Sequence, residues 1–167
     1  IRDSNLYSGS ALPVETDITD IKSCQNLISK TINEFSQIDY LILNAGLSMW
    51  ARFDQIKDIS KFNELANVNF NGSVNSIHCS LKSLKESSGT IVSISTAQAF
   101  IGFPKATFYS ASKHALKGFL EGLELETKGK IQFINVYLGW IKETNLRANA
   151  IGPNGEIIGD SHHCLLY

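Results

Sequence analysis

Two hydrophobic periods alternate along this chain. Short runs dominated by β-branched and aromatic residues, at Tyr40-Leu41-Ile42-Leu43 and Ile91-Val92-Ser93-Ile94, have the length and composition of buried strands. Ala11 to Glu15 is a shorter strand candidate, and Gln132 to Leu138 alternates towards another. Between these runs the period becomes that of a helix face. Ile21, Cys24, Ile28, Ile32 and Phe35 share one face of a segment that ends near Ser36. Phe62, Leu65, Ala66 and Asn69 do so within Ser60 to Ser83, and Tyr109, Lys113, Leu116, Leu120 and Leu123 do so within 106–127. Strands alternating with helices predict an α/β fold with a doubly wound parallel sheet and helices on both faces, as one domain over 1–167. From Asn145 to Tyr167 the periodicity fades, with a turn signal at Gly152-Pro153-Asn154-Gly155.

Polar residues interrupt these stripes at a few places. Tyr109 and Lys113 occupy the first two positions of a stripe that is otherwise leucine, and burying a lysine is costly unless its charge finds a partner. Residues four apart on a helix have Cβ atoms about 5–6 Å apart, so the Lys113 ammonium can approach the Tyr109 phenol. At an effective dielectric of about 20, a charge roughly 5 Å away contributes about 3 kcal/mol, or about two pKa units. A phenol lowered by that much can act as acid or base near neutral pH. Ser95 and Thr96, where the Ile91 strand ends, offer a hydroxyl to hold a substrate oxygen beside it. Asn69 falls on a core-facing helix position, where both ends of its amide need partners. Asn44-Ala45-Gly46 closes the Tyr40 strand with small residues, which let backbone approach a flat ligand at the carboxyl edge of an open sheet. Asp17 and Thr19 stand where helix caps are expected, ahead of the Ile21 stripe.

Composition narrows the functional classes. A formal net charge of -1, without a basic run or aromatic-basic interleaving, gives no sign of nucleic-acid binding. No apolar stretch reaches the roughly 18 residues of a membrane helix, and an anchor upstream of Ile1 stays open. Cys24, Cys79 and Cys164 are odd in number and form no Cys-x-x-Cys pair, so they read as thiols and not as a disulfide frame. His162-His163-Cys164 suggests metal only superficially, because adjacent histidines point different ways on a regular element, and no metal is expected.

Thr90 to Leu120 resembles the catalytic segment of the classical short-chain dehydrogenase/reductase family, in which a serine precedes Tyr-x-x-x-Lys by a fixed interval. Tyr109-Ser110-Ala111-Ser112-Lys113 is a wording that family commonly uses, and the resemblance extends from Ala11 to about Thr144. It implies a Rossmann-type sheet, NAD or NADP as cofactor, and hydride transfer between the nicotinamide and a small-molecule carbonyl or secondary alcohol. In those terms Tyr109 exchanges the proton, Lys113 lowers the tyrosine pKa and holds the nicotinamide ribose, and Asn69 of Val68-Asn69-Phe70-Asn71-Gly72 holds a relay water. The position thirteen residues before the tyrosine is Thr96 and not serine, with Ser95 just ahead, so either hydroxyl is carried over. Asp17 and the backbone of Ile18 match the family's adenine contact, while Asn44, Ala45 and Gly46 match the motif that supports the sheet and lines the cofactor site. Gly139, Ile141 and Thr144 match the cofactor loop, although Glu143 stands four after the glycine, where a threonine is usual. Leu138 replaces the usual proline, as in hydroxysteroid dehydrogenase-like members, and tilts the substrate towards steroids, retinoids or other lipophilic carbonyls. The resemblance further implies a homo-oligomer, with helices 60–83 and 106–127 as candidate faces, while the compartment stays open between the cytoplasm and the endoplasmic reticulum membrane. Two alternatives use the same fold: a non-catalytic nucleotide-sensing or scaffold protein, and an epimerase or dehydratase.

No Gly-x-x-x-Gly-x-Gly or Gly-x-Gly-x-x-Gly occurs in the chain, and the resemblance begins at the family's third strand. The expectation is therefore a fragment, incomplete at both termini, whose first two strands lie upstream. In a sheet of order 3-2-1-4-5-6 those strands separate the Ala11 strand from the Tyr40 strand, leaving the first without a neighbour and the second as an open edge. The pyrophosphate would also lack its helix N-terminus. Residues 1–167 alone should accordingly bind dinucleotide weakly by calorimetric titration, and a nanomolar dissociation constant would contradict this reading.

Overall fold

The computed structural model of the protein describes residues 9–139 and 145–159. Helix α1 (Ile21–Phe35) leads into strand β1 (Tyr40–Leu43); α2 (Ser60–Ala66) and α3 (Ser73–Ser87) flank a π-helical segment, Asn67–Gly72. Strand β2 (Thr90–Thr96), a short 3-10 turn at Ala97–Ala99, α4 (Thr107–Thr127), β3 (Gln132–Leu138) and the one-turn α5 (Asn145–Ala148) complete the order. The predicted strand at Ala11 to Glu15 is not formed: its residues join no sheet. An isolated segment has no ladder to complete its backbone hydrogen bonds, so strand propensity alone does not make a strand.

The three strands form one parallel sheet in the order β1-β2-β3. Its two faces differ. Leu41, Ile91 and Phe133 are register partners on one face, and they belong to the cluster built by Ile77 and Leu84 of α3, Leu116 and Leu120 of α4, and Ile28 and Ile32 of α1. Ile42, Val92 and Ile134 form the matching row on the opposite face, where Ile42 is 61% and Ile134 47% exposed. Among the described residues the helices that pack on the sheet thus share one face, although parallel sheets ordinarily bury both. Tyr40 and Ile42 also mark β1 as an exposed edge strand.

Helix starts and stops follow local chemistry. Asp20 caps α1 by accepting the Lys22 N–H, in place of the expected Asp17 or Thr19, and Ser36 closes it in the left-handed region at φ 71°. The helix expected over Ser60 to Ser83 runs on to Ser87, and it changes to π geometry around Asn69, a local widening often found at functional sites. A second, smaller cluster of Met49, Ala51, Leu65, Phe108 and Ile151, with Phe62 stacked on Phe108, fastens the loop after β1 to α2, α4 and the segment after α5. Ile151 completes that fastening by accepting the Trp50 N–H at 2.9 Å and donating to the Ser48 carbonyl at 2.9 Å.

The unequal faces give a stability test. Leu84→Ala, at a side chain with no exposed surface, should cost about 2–5 kcal/mol in denaturant unfolding. Ile134→Ala on the open face should cost less than about 1 kcal/mol. Equal costs would contradict the assignment of faces.

Candidate active site

Parallel strands all end on the same side, and that side gathers the chemistry. β1 ends into Asn44-Ala45-Gly46, β2 into Thr96, and β3 into Gly139; Thr96 and Leu138 are register partners, so Gly139 follows directly beside the Thr96 end. Ser95 belongs with Ile91 and Ser93 to the buried set on β2, while Thr96 belongs to the alternate, half-buried set. The Thr96 hydroxyl oxygen caps the 3-10 turn, accepting the Gln98 N–H at 3.5 Å. The Ser110 hydroxyl donates to Gln98 Oε1 at 3.2 Å, tying that turn to α4 one residue past Tyr109.

Asn69 lies at the centre of the site. It is 1% exposed, and its amide is fully engaged: Oδ1 accepts the Leu47 N–H at 2.7 Å, and Nδ2 donates to the Leu47 carbonyl at 3.0 Å and to Ser112 Oγ at 3.0 Å. Ser112 in turn donates to the Tyr109 carbonyl at 2.8 Å. One side chain on the π segment therefore fixes both the loop after β1 and the first turns of α4. Gly46 is pressed into this cluster. A Cβ at that residue would lie 3.2 Å from Asn69 Oδ1, tighter than an ordinary contact, and 3.7 Å from Lys113 Nζ, an ordinary one, so glycine eases the close approach to Asn69.

Tyr109 and Lys113 are buried on the same face of α4, as their spacing predicts, with Lys113 Nζ 5.8 Å from the centre of the Tyr109 ring. Burial pushes the Lys113 pKa down from its ordinary value. Among the described residues no carboxylate forms an ion pair with it. A buried cation without a carboxylate, beside a phenol and a glycine-lined loop, is an arrangement of function more than of stability.

Ile18, Asn44 and Ala45 share a mainly apolar cleft of about 130 Å³ with Leu27, Leu41 and Ser76. That volume is below the roughly 300 Å³ of small-ligand pockets, so the cleft alone cannot enclose a dinucleotide. Asp17, next in the chain to Ile18, is exposed. Its Oδ1 accepts the Thr19 hydroxyl at 2.8 Å and the Thr19 N–H at 2.9 Å, and these bonds hold its carboxyl below the usual carboxylate range. These contacts are an Asx-type turn and not the helix cap expected from the sequence. The structure thus draws the sequence-predicted residues into two adjoining groups: Asp17, Ile18, Asn44 and Ala45 in one, Gly46, Asn69, Tyr109 and Lys113 in the other, with Ser95, Thr96 and Gly139 at the strand ends. Ile141 and Thr144 lie outside the described residues, as do His162, His163 and Cys164. Sequence reasoning missed Leu47, whose role is purely backbone, and Ser112, whose place at i+3 from Tyr109 was the available signal.

A dinucleotide cofactor fits these residues chemically. The Gly46 approach that a Cβ would obstruct, the buried ammonium of Lys113 and the cleft at Ile18 provide a flat backbone ledge, a cation and an apolar slot on one edge.

Known proteins resemble this chain over most of its length. The chain is 31% identical over 153 residues to 11-beta-hydroxysteroid dehydrogenase 1A of Arabidopsis thaliana, covering 92% of this chain and 44% of the relative. It is 35% identical over 136 residues to 11-beta-hydroxysteroid dehydrogenase-like 2 of the same plant, covering 81% and 44%. The chain therefore spans less than half the length of these curated relatives. The structure of ElxO with NADP bound is 32% identical and superimposes with a TM-score of 0.73, covering 78% of this chain and 53% of that one. An alcohol dehydrogenase from Thermococcus sibiricus complexed with 5-hydroxy-NADP shares the fold at 20% identity and a TM-score of 0.74, covering 83% and 62%. The family model for short chain dehydrogenase matches residues 2–153, and with nearly the whole described chain inside that match, the protein belongs to the short chain dehydrogenase family.

Proposed function

We propose that the reading frame carrying this chain encodes an NAD- or NADP-dependent oxidoreductase acting on a carbonyl or secondary alcohol. The observation that carries the reading is the convergence of Gly46, Asn69, Tyr109 and Lys113, each buried or pressed against the others by a named contact. The bound nicotinamide supplies or accepts the hydride. Tyr109 moves the matching proton to or from the substrate oxygen, which Thr96, with Ser95 as the other candidate, holds by a hydroxyl hydrogen bond. Lys113, while protonated, favours the phenolate of Tyr109 and reaches the ribose. Asn69 keeps the Gly46 loop and the start of α4 in register, and its π-helical backbone is where a relay water towards Lys113 would be held. Asp17 and Ile18 receive the adenine ring, Asn44 and Ala45 line its approach, and Gly139, Ile141 and Thr144 are assigned to the nicotinamide end by the resemblance.

A lipophilic substrate is supported by the surface beside Thr96. Phe100, Ile101 and Phe103 are exposed immediately after that strand end, and the Phe100 ring lies 4.5 Å from that of Tyr137 on β3. An exposed aromatic group next to a reaction centre suits the hydrocarbon body of a steroid or retinoid. The names of the plant relatives point in the same direction.

The test is nucleotide turnover by the full reading frame, followed by nicotinamide absorbance against a panel of ketones and secondary alcohols. Tyr109→Phe should lower kcat by about 10²–10⁴-fold with nucleotide binding retained. No net redox change in the nucleotide with any substrate, or an undiminished kcat in Tyr109→Phe, would overturn the reading; turnover without net redox change would point to an epimerase or dehydratase. A second outcome follows from the lysine. Because the folded pKa of Lys113 lies below the unfolded value of about 10.5, its buried charge destabilises the fold at neutral pH, and that penalty fades as pH rises towards the unfolded value. Lys113→Met should therefore abolish turnover yet melt higher than the native protein at pH 7, with the gap in Tm narrowing at alkaline pH. A Lys113→Met variant that melts lower at pH 7 would contradict the assigned burial penalty.

A further inference from the structure

The turn that carries Asp17 and Ile18 is held from α3 by a residue that no catalytic role accounts for. Asn75 Nδ2 donates to the Ile18 carbonyl at 3.0 Å and the Thr19 carbonyl at 3.4 Å. Both carbonyls precede the α1 cap at Asp20, so no helix ladder serves them. The Cys24 thiol adds a weak contact to the same Ile18 oxygen at 3.5 Å. Ile18 is gripped through its side chain as well. A Cβ on Gly72 would lie 2.6 Å from both Cδ1 and Cγ1 of Ile18, so the Ile18 side chain rests directly on the Gly72 backbone.

Gly72 is also the last residue of the π segment that carries Asn69. From Asn69 to Asn75 is six residues, about 9 Å along a helix. One continuous rod thus grips the catalytic loop at Leu47 with one asparagine and the Ile18 turn with another. The second grip decides where Ile18, and with it the neighbouring Asp17, stands relative to Asn44 and Ala45, which share the cleft with Ile18.

We propose that Asn75 is a positioning residue for nucleotide recognition: by holding the Ile18 and Thr19 carbonyls, with Gly72 seating the Ile18 side chain, it sets the ledge that receives the adenine ring at the correct distance from the catalytic group. The inference rests on the reading that Asp17 and Ile18 contact the adenine. Loss of the amide returns two carbonyls to water and frees the ledge to drift, which weakens binding of the adenine end. Once nucleotide is saturating, the Tyr109 and Lys113 geometry is untouched, because Asn69 holds it independently through Leu47 and Ser112.

The experiment uses the full reading frame with ADP-ribose as the binding probe and the complete dinucleotide as the kinetic one. Asn75→Ala should raise the ADP-ribose dissociation constant and the dinucleotide KM about five- to tenfold, with kcat at saturation within about twofold of native. Asn75→Leu, which keeps the bulk of the side chain without its N–H donor, should give the same split and serves if Asn75→Ala fails to fold. Unchanged ADP-ribose affinity in a folded variant, or a fall in kcat matching the rise in KM, overturns the inference while leaving the proposed function standing. Failure of the native protein to bind either probe overturns both.

Discussion

An asparagine amide buried among apolar helices is the constraint on which the rest of this site depends. Each unpaired polar group in such a place costs about 1–3 kcal/mol, so Asn69 holds its position only because three partners meet it. Two of those are the N–H and carbonyl of one residue, Leu47, and a side-chain amide that binds both reads backbone geometry and not side-chain identity. The third, Ser112, belongs to the helix that carries the tyrosine and lysine. Fixing Leu47 fixes Gly46 beside it, where a Cβ would crowd Asn69 Oδ1 at 3.2 Å, so glycine suits the close packing of this loop on the amide. The π-helical turn around Asn69 belongs to the same arrangement: regular α geometry is given up at the residue whose amide makes these bonds.

Stability and function pull in opposite directions around this amide. The apolar cluster under the sheet, with Leu84, Ile91, Leu116 and Leu120, holds α3 and α4 rigidly against β1 and β2. That rigidity permits a lysine to be buried a turn beyond a buried tyrosine without a carboxylate partner among the described residues, a placement that costs free energy locally and is tolerated because the surrounding packing determines it. The sheet's other face shows the contrary case. Its aliphatic row at Ile42, Val92 and Ile134 has the composition of a covered parallel sheet, and it lies open in this chain.

Much of this was legible in the sequence because it is periodic. The β3 strand and the stripe from Tyr109 to Leu123 are patterns of period two and of 3.6, and both were realised; a tyrosine and a lysine inside a leucine stripe announce themselves by being out of place. Asn69 was visible for the same reason, as an amide on a core-facing position. What was not legible is contact that leaves no side-chain signature or that depends on distant segments. The run at Ala11 reads as a strand but meets no neighbour, since strand formation is decided by pairing and not by propensity. Asp17 reads as a cap, yet Thr19 supplies a nearer pair of donors and leaves Asp20 to cap the helix. Leu47 acts through its backbone, the π turn has no composition of its own, and Asn75 reaches carbonyls more than fifty residues away in sequence.

The most direct measurement of the central claim is amide hydrogen exchange at Leu47. A loop residue whose N–H is held by a buried asparagine should exchange slowly, in step with the interior of α3, and should lose that protection in Asn69→Leu. A Leu47 amide that exchanges in the native protein as fast as an open peptide would mean that Asn69 does not hold the loop, and the account of the site built on it would fail.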